Sequence, residues 1–175
     1  VNTNALYGFL TTLHRHLKEE EECRVAAAFD LKAPTYRHEM FKDYKAGRKP
    51  MPEELREQFP IIKQMLDALG VVRIEREGLE ADDIIGILSR ECSDDGEKCV
   101  IITGDRDAFQ LTDENVTVKL ATTKRGGTQD EIYTPAEIKA KYGLDVSQLI
   151  DLKALMGDSS DNIPGVAGVG EKTAV

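Results

Sequence analysis

Apolar residues recur at helical spacing at Ala5, Leu6, Phe9, Leu10, Leu13 and Leu17, which predicts a helix over residues 3–19. Asn2, Thr3 and Asn4 stand ready to cap it, and the acidic run Glu19 to Glu22 closes it. Arg24 to Phe29 is a short apolar run closed by Asp30, of a length that suits a buried parallel strand. From Leu31 to Met51 the pattern loosens and Tyr36, Phe41 and Tyr44 are scattered among basic residues. That stretch reads as a long, partly helical excursion broken by Gly47 and Pro50. Glu53 to Leu69 then places Leu55, Phe59, Ile62, Met65, Leu66 and Leu69 on one helical face, with Pro52 at its start and Gly70 at its C′ position. Pro60 lies inside this helix and should kink or split it.

The second half alternates strand and helix. Val71–Ile74 reads as a strand, residues 81–92 as a helix, and Lys98–Thr103 as the clearest buried strand. Val116–Leu120 is a further strand, running into a Lys124-Arg125-Gly126-Gly127 turn. Pro135 opens a helix that Gly143 caps, and residues 147–156 form another. This alternation predicts an α/β domain with a mostly parallel sheet. At 175 residues the chain supports one domain with a real core and a small appendage.

Composition narrows the function classes. The chain is 41% hydrophobic and 31% charged, with no apolar run near the roughly 18 residues that cross a bilayer. Its first residues lack the charged and apolar regions of a secretory signal. Cys23, Cys92 and Cys99 are odd in number and form no CxxC pair, so neither a disulfide framework nor a zinc site is expected, which fits a cytoplasmic protein. His14 and His16 are expected on the helix surface, with no partner spacing for a metal. A net charge of −9 argues on its face against a nucleic-acid partner. The average hides a basic stretch, however: residues 32–49 hold Lys32, Arg37, Lys42, Lys45, Arg48 and Lys49 against Glu39 and Asp43.

The acids are where the chemistry gathers. In parallel α/β sheets, ligands bind beyond the carboxyl ends of the strands. Asp30 follows one predicted strand, Asp105 and Asp107 follow another, and Glu80, Asp82 and Asp83 open the helix after a third. Asp158 and Asp161 come from a later loop. Any one group is an ordinary turn or helix start, since acids favour a positive helix N-terminus. Together they place carboxylates at one sheet edge, where they would repel each other unless cations sat among them. All-oxygen donors select hard divalent ions, Mg²⁺ or Mn²⁺, and two such ions sharing a carboxylate form the clamp used in phosphodiester hydrolysis. The alternating spacing of a calcium loop is missing. Near the end, the Gly-rich stretch Ile163 to Thr173 reads as a turn between helices whose glycines let backbone approach a phosphate, with Lys172 beside it.

The segments AAAFD (26–30), TYRHEMFKDYKAGR (35–48), GLEADDIIG (78–86), ITGDRDAFQL (102–111) and LMGDSSDNIPGVAGVGEKTA (155–174) closely resemble, in order, the N-terminal 5′–3′ exonuclease domains of bacterial DNA polymerases I, within the flap endonuclease group of structure-specific nucleases. The resemblance implies a PIN-like, Rossmann-like core over residues 1–134, a helical arch at about 32–52, and a helix–three-turn–helix motif that grips duplex DNA over 135–175. It implies that Asp30, Glu80, Asp82 and Asp105 hold a first metal and that Asp107, Asp158 and Asp161 hold a second. Asp105 would bridge them, with Asp83 in or near the outer shell. Arg37, Tyr44, Lys45 and Arg48 match DNA-contacting arch residues, with Lys45 and Arg48 at the scissile phosphate. Gly165, Gly168, Gly170 and Lys172 match the DNA-gripping turn, whose carbonyls can hold K⁺.

The implied activity is removal of 5′ flaps or RNA primers from DNA in replication and repair, by a monomer linked to a polymerase module in a bacterial cytoplasm, at the nucleoid. The family opens with a strand ending in an Asp-Gly-Asn/Ser motif, whereas this chain starts at what resembles the first helix and stops within the second helix of the DNA-gripping motif. It is therefore expected to be a fragment, with strand edges exposed and less stability than its parent. The alternative reading is a DNA-junction clamp without catalysis.

Overall fold

The computed structural model describes residues 2–20, 22–124 and 127–175, by backbone alone at 123, 124, 127 and 128. Helix α1 spans Asn4–Glu19, strand β1 Ala26–Ala28, α2 Tyr36–Met40, α3 Glu53–Arg56, α4 Phe59–Ala68 and β2 Val72–Ile74. They are followed by α5 Ala81–Asp94, β3 Cys99–Thr103, a 3₁₀ turn Arg106–Leu111, β4 Val116–Lys124 and β5 Gly127–Tyr133. Helices α6 Pro135–Tyr142 and α7 Gln148–Met156, two-residue strands β6 Gly157–Asp158 and β7 Ile163–Pro164, and α8 Glu171–Ala174 complete the chain.

The α/β class and its parallel pairing hold. β1 pairs with β2 in parallel, Ala27 opposite Arg73, and β3 pairs with β4 in parallel, Ile101 opposite Val118. Among the described residues, besides the two-residue pair β6-β7, the strands form separate sheets, β1-β2 and β3-β4-β5, and α5 packs against both β1 and β3. Two apolar clusters correspond to them. Ile62, Leu66 and Val71 pack with Leu6, Phe9, Leu13 and Phe29, while Ile101, Phe109, Val116, Val118, Leu120, Tyr133 and Ile138 fill the other. Each large side chain so buried contributes about 1.5–3 kcal/mol. Pro60 splits the helix expected over Glu53 to Leu69 into α3 and α4, since a proline is tolerated only in a helix's first turn.

Three local expectations are corrected. First, the cap of α1 is not supplied by Asn2, Thr3 or Asn4: the Oε1 of Gln58, itself buried, accepts from the N–H groups of Ala5 and Leu6 at 3.0 Å each. Second, β5 pairs antiparallel with β4, a strand missed because Gln129, Asp130 and Glu131 give no apolar alternation. The Arg125-Gly126 centre of the expected turn, and Glu21 of the acidic run, lie outside the described residues. Third, His16 is buried, because β5 brings Asp130 over it, whereas His14 is exposed as expected.

Candidate functional site

Each acid reaches the site by a local device. Asp30 ends the segment after β1 and accepts the N–H of Ala81 at 2.6 Å, fixing it against the first turn of α5. That turn brings Glu80 and Asp82 to the same place. Asp105 follows β3, accepts the N–H of Asp107 at 2.9 Å and donates its own N–H to Thr103 Oγ1 at 3.0 Å, which starts the 3₁₀ turn. Asp158 accepts from Ser160 N–H and from its hydroxyl, at 2.8 and 2.6 Å, organising the 158–161 loop. The result is one cleft of about 510 Å³. It is lined by Asp30, Glu80, Asp82, Asp105, Asp107, Asp158 and Asp161, together with Lys45, Arg48, Arg106 and Lys153. Seven carboxylates against four cations leave three negative charges in excess.

The basic excursion folds down onto these acids. A parallel bridge from Thr35 to Gly78 anchors it beside the lead-in to α5, and the backbone N–H of Lys45 donates to Asp161 O at 2.9 Å. Lys45 holds φ at 57°, a left-handed conformation that turns the chain at the cleft. Its Nζ donates to Glu80 Oε1 at 2.7 Å. The buried Tyr44 hydroxyl donates to Glu80 Oε2 at 3.0 Å and Asp161 Oδ2 at 3.1 Å. Arg48 donates to the Asp161 carboxylate and to Ser160 O. Lys153, on α7, bridges Asp107 at 2.9 Å and Asp158 at 2.7 Å.

Titration follows from these neighbours. Burial pushes the Asp82 carboxyl upward, and the nearby Asp105, Asp30 and Glu80 push it the same way. Burial also pushes Asp158 up, but the bonds from Lys153 and Ser160 outweigh it and hold the carboxyl well below the usual range. Burial, then the bond to Glu80, raises the Tyr44 phenol well above its ordinary value. All-oxygen donors crowded in this way can hold hard divalent cations. Glu80, Asp107, Asp158 and Asp161 lean toward lysine or arginine rather than toward one another. No three of them bring donor atoms within 4.8 Å of each other among the described residues.

The remaining predicted positions fall elsewhere. Asp83 does not line the cleft: it accepts both terminal nitrogens of Arg37 at 2.7 Å and the N–H of Glu80 at 2.9 Å. Arg37 holds its carboxyl below the usual range, against burial. Arg37 itself lies over the Tyr36 ring, 4.6 Å from its centre. Gly165, Gly168, Gly170 and Lys172 are also away from the cleft. A Cβ on Gly165 would stand 2.2 Å from Met156 C, so its lack of a side chain is required by the close backbone approach at the β6–β7 pair. Gly168 takes φ +80°, and Gly170 caps α8 with Lys172 in its first turn. Sequence reasoning missed Lys153 and Arg106. Lys153 lies five residues before Asp158, a spacing that carries no helical signal of its own.

Residues 1–143 match the family model of the 5′–3′ exonuclease N-terminal resolvase-like domain, and residues 144–175 that of the 5′–3′ exonuclease C-terminal SAM fold. The chain is 50% identical over all 175 residues to DNA polymerase I of Bacillus subtilis, covering 20% of it. It is 46% identical over 170 residues to thermostable DNA polymerase I of Thermus filiformis, covering 97% of this chain and 19% of that protein. It thus spans about a fifth of the length of these curated relatives. A structure of T5 5′-exonuclease with bound divalent metal ions (zinc) superposes with TM-score 0.79 at 26% identity, covering 99% of this chain and 65% of that one. The catalytic core of Rad2 in complex with DNA substrate shares the fold, with TM-score 0.62 at 20% identity over 99% of this chain and 51% of that one.

Proposed function

Since the chain belongs to the 5′–3′ exonuclease family, we propose that it is the nuclease part of a DNA polymerase I, hydrolysing phosphodiester bonds of 5′ flaps, nicks and RNA primers in DNA. The observation that carries this reading is the convergence of seven carboxylates from β1, α5, β3 and the 158–161 loop beneath Tyr44, Lys45 and Arg48. Relatives named as DNA polymerase I, and neighbours named as bound to divalent metal ions or DNA substrate, support the same reading.

The donor chemistry fits two hard divalent ions, Mg²⁺ or Mn²⁺. Burial, with the neighbouring acids adding to it, raises Asp82, and Lys45, Arg48 and Lys153 lie against the acids, so positive charge is what this cleft stabilises. Asp30, Glu80, Asp82 and Asp105 would hold one ion, and Asp107, Asp158 and Asp161 the other, with Asp105 shared and Asp83 supporting from behind. Bound there, such ions supply Lewis-acid polarisation of phosphoryl oxygens and lower the pKa of water. The chain's own side chains do the rest. Lys45 and Arg48 exchange Glu80 and Asp161 for the phosphate oxygens and neutralise the charge that develops on them. Tyr44 keeps the excursion seated on the acids. Arg37 orients Asp83, and through its bond to the Glu80 N–H the first turn of α5. Gly165, Gly168, Gly170 and Lys172 would follow the duplex backbone in a helix–three-turn–helix arrangement, with K⁺ at the turn. These contacts address phosphate and junction shape, so base sequence should matter little.

The test is cleavage of a labelled 5′-flap duplex with Mg²⁺ or Mn²⁺. Asp105→Ala should lower the rate by at least about a hundredfold while leaving flap binding in EDTA intact. Binding of flap DNA without cleavage under any divalent ion would instead make the chain a junction clamp and overturn the nuclease reading.

A further inference from the structure

Outside the carboxylate cleft, three side chains of metal-ligating type meet where the C-terminal end of α1 reaches Asp130 of β5: His16, Glu19 and Asp130. Their donor atoms lie within 4.8 Å of one another, the one such group among the described residues. His16 is 3% exposed, and its Nδ1 is buried without a hydrogen-bond partner, aimed at Glu19 Oε2 at 3.5 Å. Its Nε2 faces Asp130 Oδ2, also at 3.5 Å. A buried ring nitrogen left without a partner is costly, which points to a ligand that the protein's own donors and acceptors do not supply.

We propose that His16 and Glu19 form a second, separate cation site, for an ion of the zinc class, with Asp130 behind the imidazole as its orienting acceptor. Bonds of about 2.0–2.1 Å to imidazole and about 2.0–2.2 Å to carboxylate set two tetrahedral ligands roughly 3.4 Å apart. The Nδ1–Oε2 separation of 3.5 Å already has that spacing. Arg15 Nη2 lies 3.3 Å from Nε2 and Asp130 Oδ2 at 3.5 Å; with Nδ1 on the ion, Nε2 takes the proton, gives up the Arg15 contact and turns its N–H to Asp130 Oδ2, the carboxylate–histidine arrangement that fixes the ring of a metal-bound histidine. Arg15 stays on the other oxygen, Asp130 Oδ1, at 2.9 Å. Lys119 competes for Glu19 at 3.0 Å, but it also holds Glu20 at 2.6 Å and can keep that partner when Glu19 turns to the ion. Glu19 is half-exposed and is the side from which an ion enters. Imidazole excludes Mg²⁺, which keeps oxygen ligands and its own waters, and favours Zn²⁺, Ni²⁺ or Cu²⁺. The bound ion would sit on α1 and, by fixing the His16 ring against Asp130, strengthen the contact between α1 and β5.

The experiment is a Zn²⁺ titration of the chain in a large excess of Mg²⁺, followed by thermal denaturation and by calorimetry. Zn²⁺ at a hundredfold excess over its Kd should raise Tm by roughly 5–10 °C. The shift should vanish in Glu19→Gln and His16→Gln, survive in Asp105→Asn, and need about 10–100-fold more Zn²⁺ in Asp130→Asn. Glu19 sits on the exposed side, so its variant decides the matter even where His16→Gln unfolds. No Mg²⁺-resistant shift in the parent chain, persistence of the shift in Glu19→Gln, or its loss in Asp105→Asn would each overturn the proposal.

Discussion

Replacing Tyr44 with Phe removes one oxygen from the centre of the cleft and leaves the ring in place. That ring is 5.1 Å from His38 and under the Lys45 ammonium at 4.9 Å, contacts that phenylalanine keeps. The lost hydroxyl shares its single proton between two carboxylates, whose oxygens lie at 3.0 and 3.1 Å. Bonds to charged groups contribute roughly 1.5–3 kcal/mol each. Neither acid is orphaned by the change, because Glu80 keeps Lys45 at 2.7 Å and Asp161 keeps Arg48. The expected cost is therefore about that of one strong bond, ~2 kcal/mol, or a fall in Tm of about 4–8 °C for a chain of this size. The phenol is raised in the folded state, so its contribution is complete below the unfolded tyrosine value of about 10 and is lost as pH rises through the higher folded value. The gap between parent and variant should thus stay level from neutral pH to about pH 10 and close above it. Urea denaturation of Tyr44→Phe, Asp161→Asn and the double variant supplies the assay. A coupling energy of about 1 kcal/mol is expected between the two sites. Additive effects, or a Tyr44→Phe cost below about 0.5 kcal/mol, would refute the view that this hydroxyl holds the basic segment onto the acids.

Other consequences are equally direct. Asp83→Asn removes the bidentate partner of Arg37 and should lower flap cleavage about 10–100-fold without abolishing it, as for a group behind the ligands. Because the Asp83 carboxyl is depressed in the folded state, its contribution to stability is present above the unfolded value of about 3.9 and lost as pH falls through the lower folded one. The parent and Asp83→Asn should converge in acid denaturation. Gly165→Ala forces a Cβ to within 2.2 Å of Met156 C and should cost about 2–3 kcal/mol in chemical denaturation; an unchanged midpoint would mean the β6–β7 approach is looser than described. Lys45→Ala and Arg48→Ala should each reduce the slope of log affinity against log salt for flap DNA by about one, equally for unrelated base sequences.

Much of the cleft's lining was legible because its acids sit at punctuation marks. Asp30, Asp105 and Glu80 each follow an apolar run or open a helix, positions that period and turn chemistry locate from a few neighbouring residues. The split at Pro60, the αL glycines Gly70 and Gly143, and the parallel strands were readable for the same reason. What the chain's own order could not reveal are the pairings made across long separations. Gln58 caps α1 from 52 and 53 residues away. Arg15 meets Asp130 across 115 residues, burying a histidine that its helix alone would leave in water. Asp83 turns to Arg37 while Asp82, one residue earlier, enters the cleft, because successive helical positions point about 100° apart and only packing decides which faces what. Residue type and local period determine where carboxylates and turns occur; the tertiary structure decides which charge each of them meets, since ion pairs and buried hydrogen bonds depend on distance in space and not along the chain.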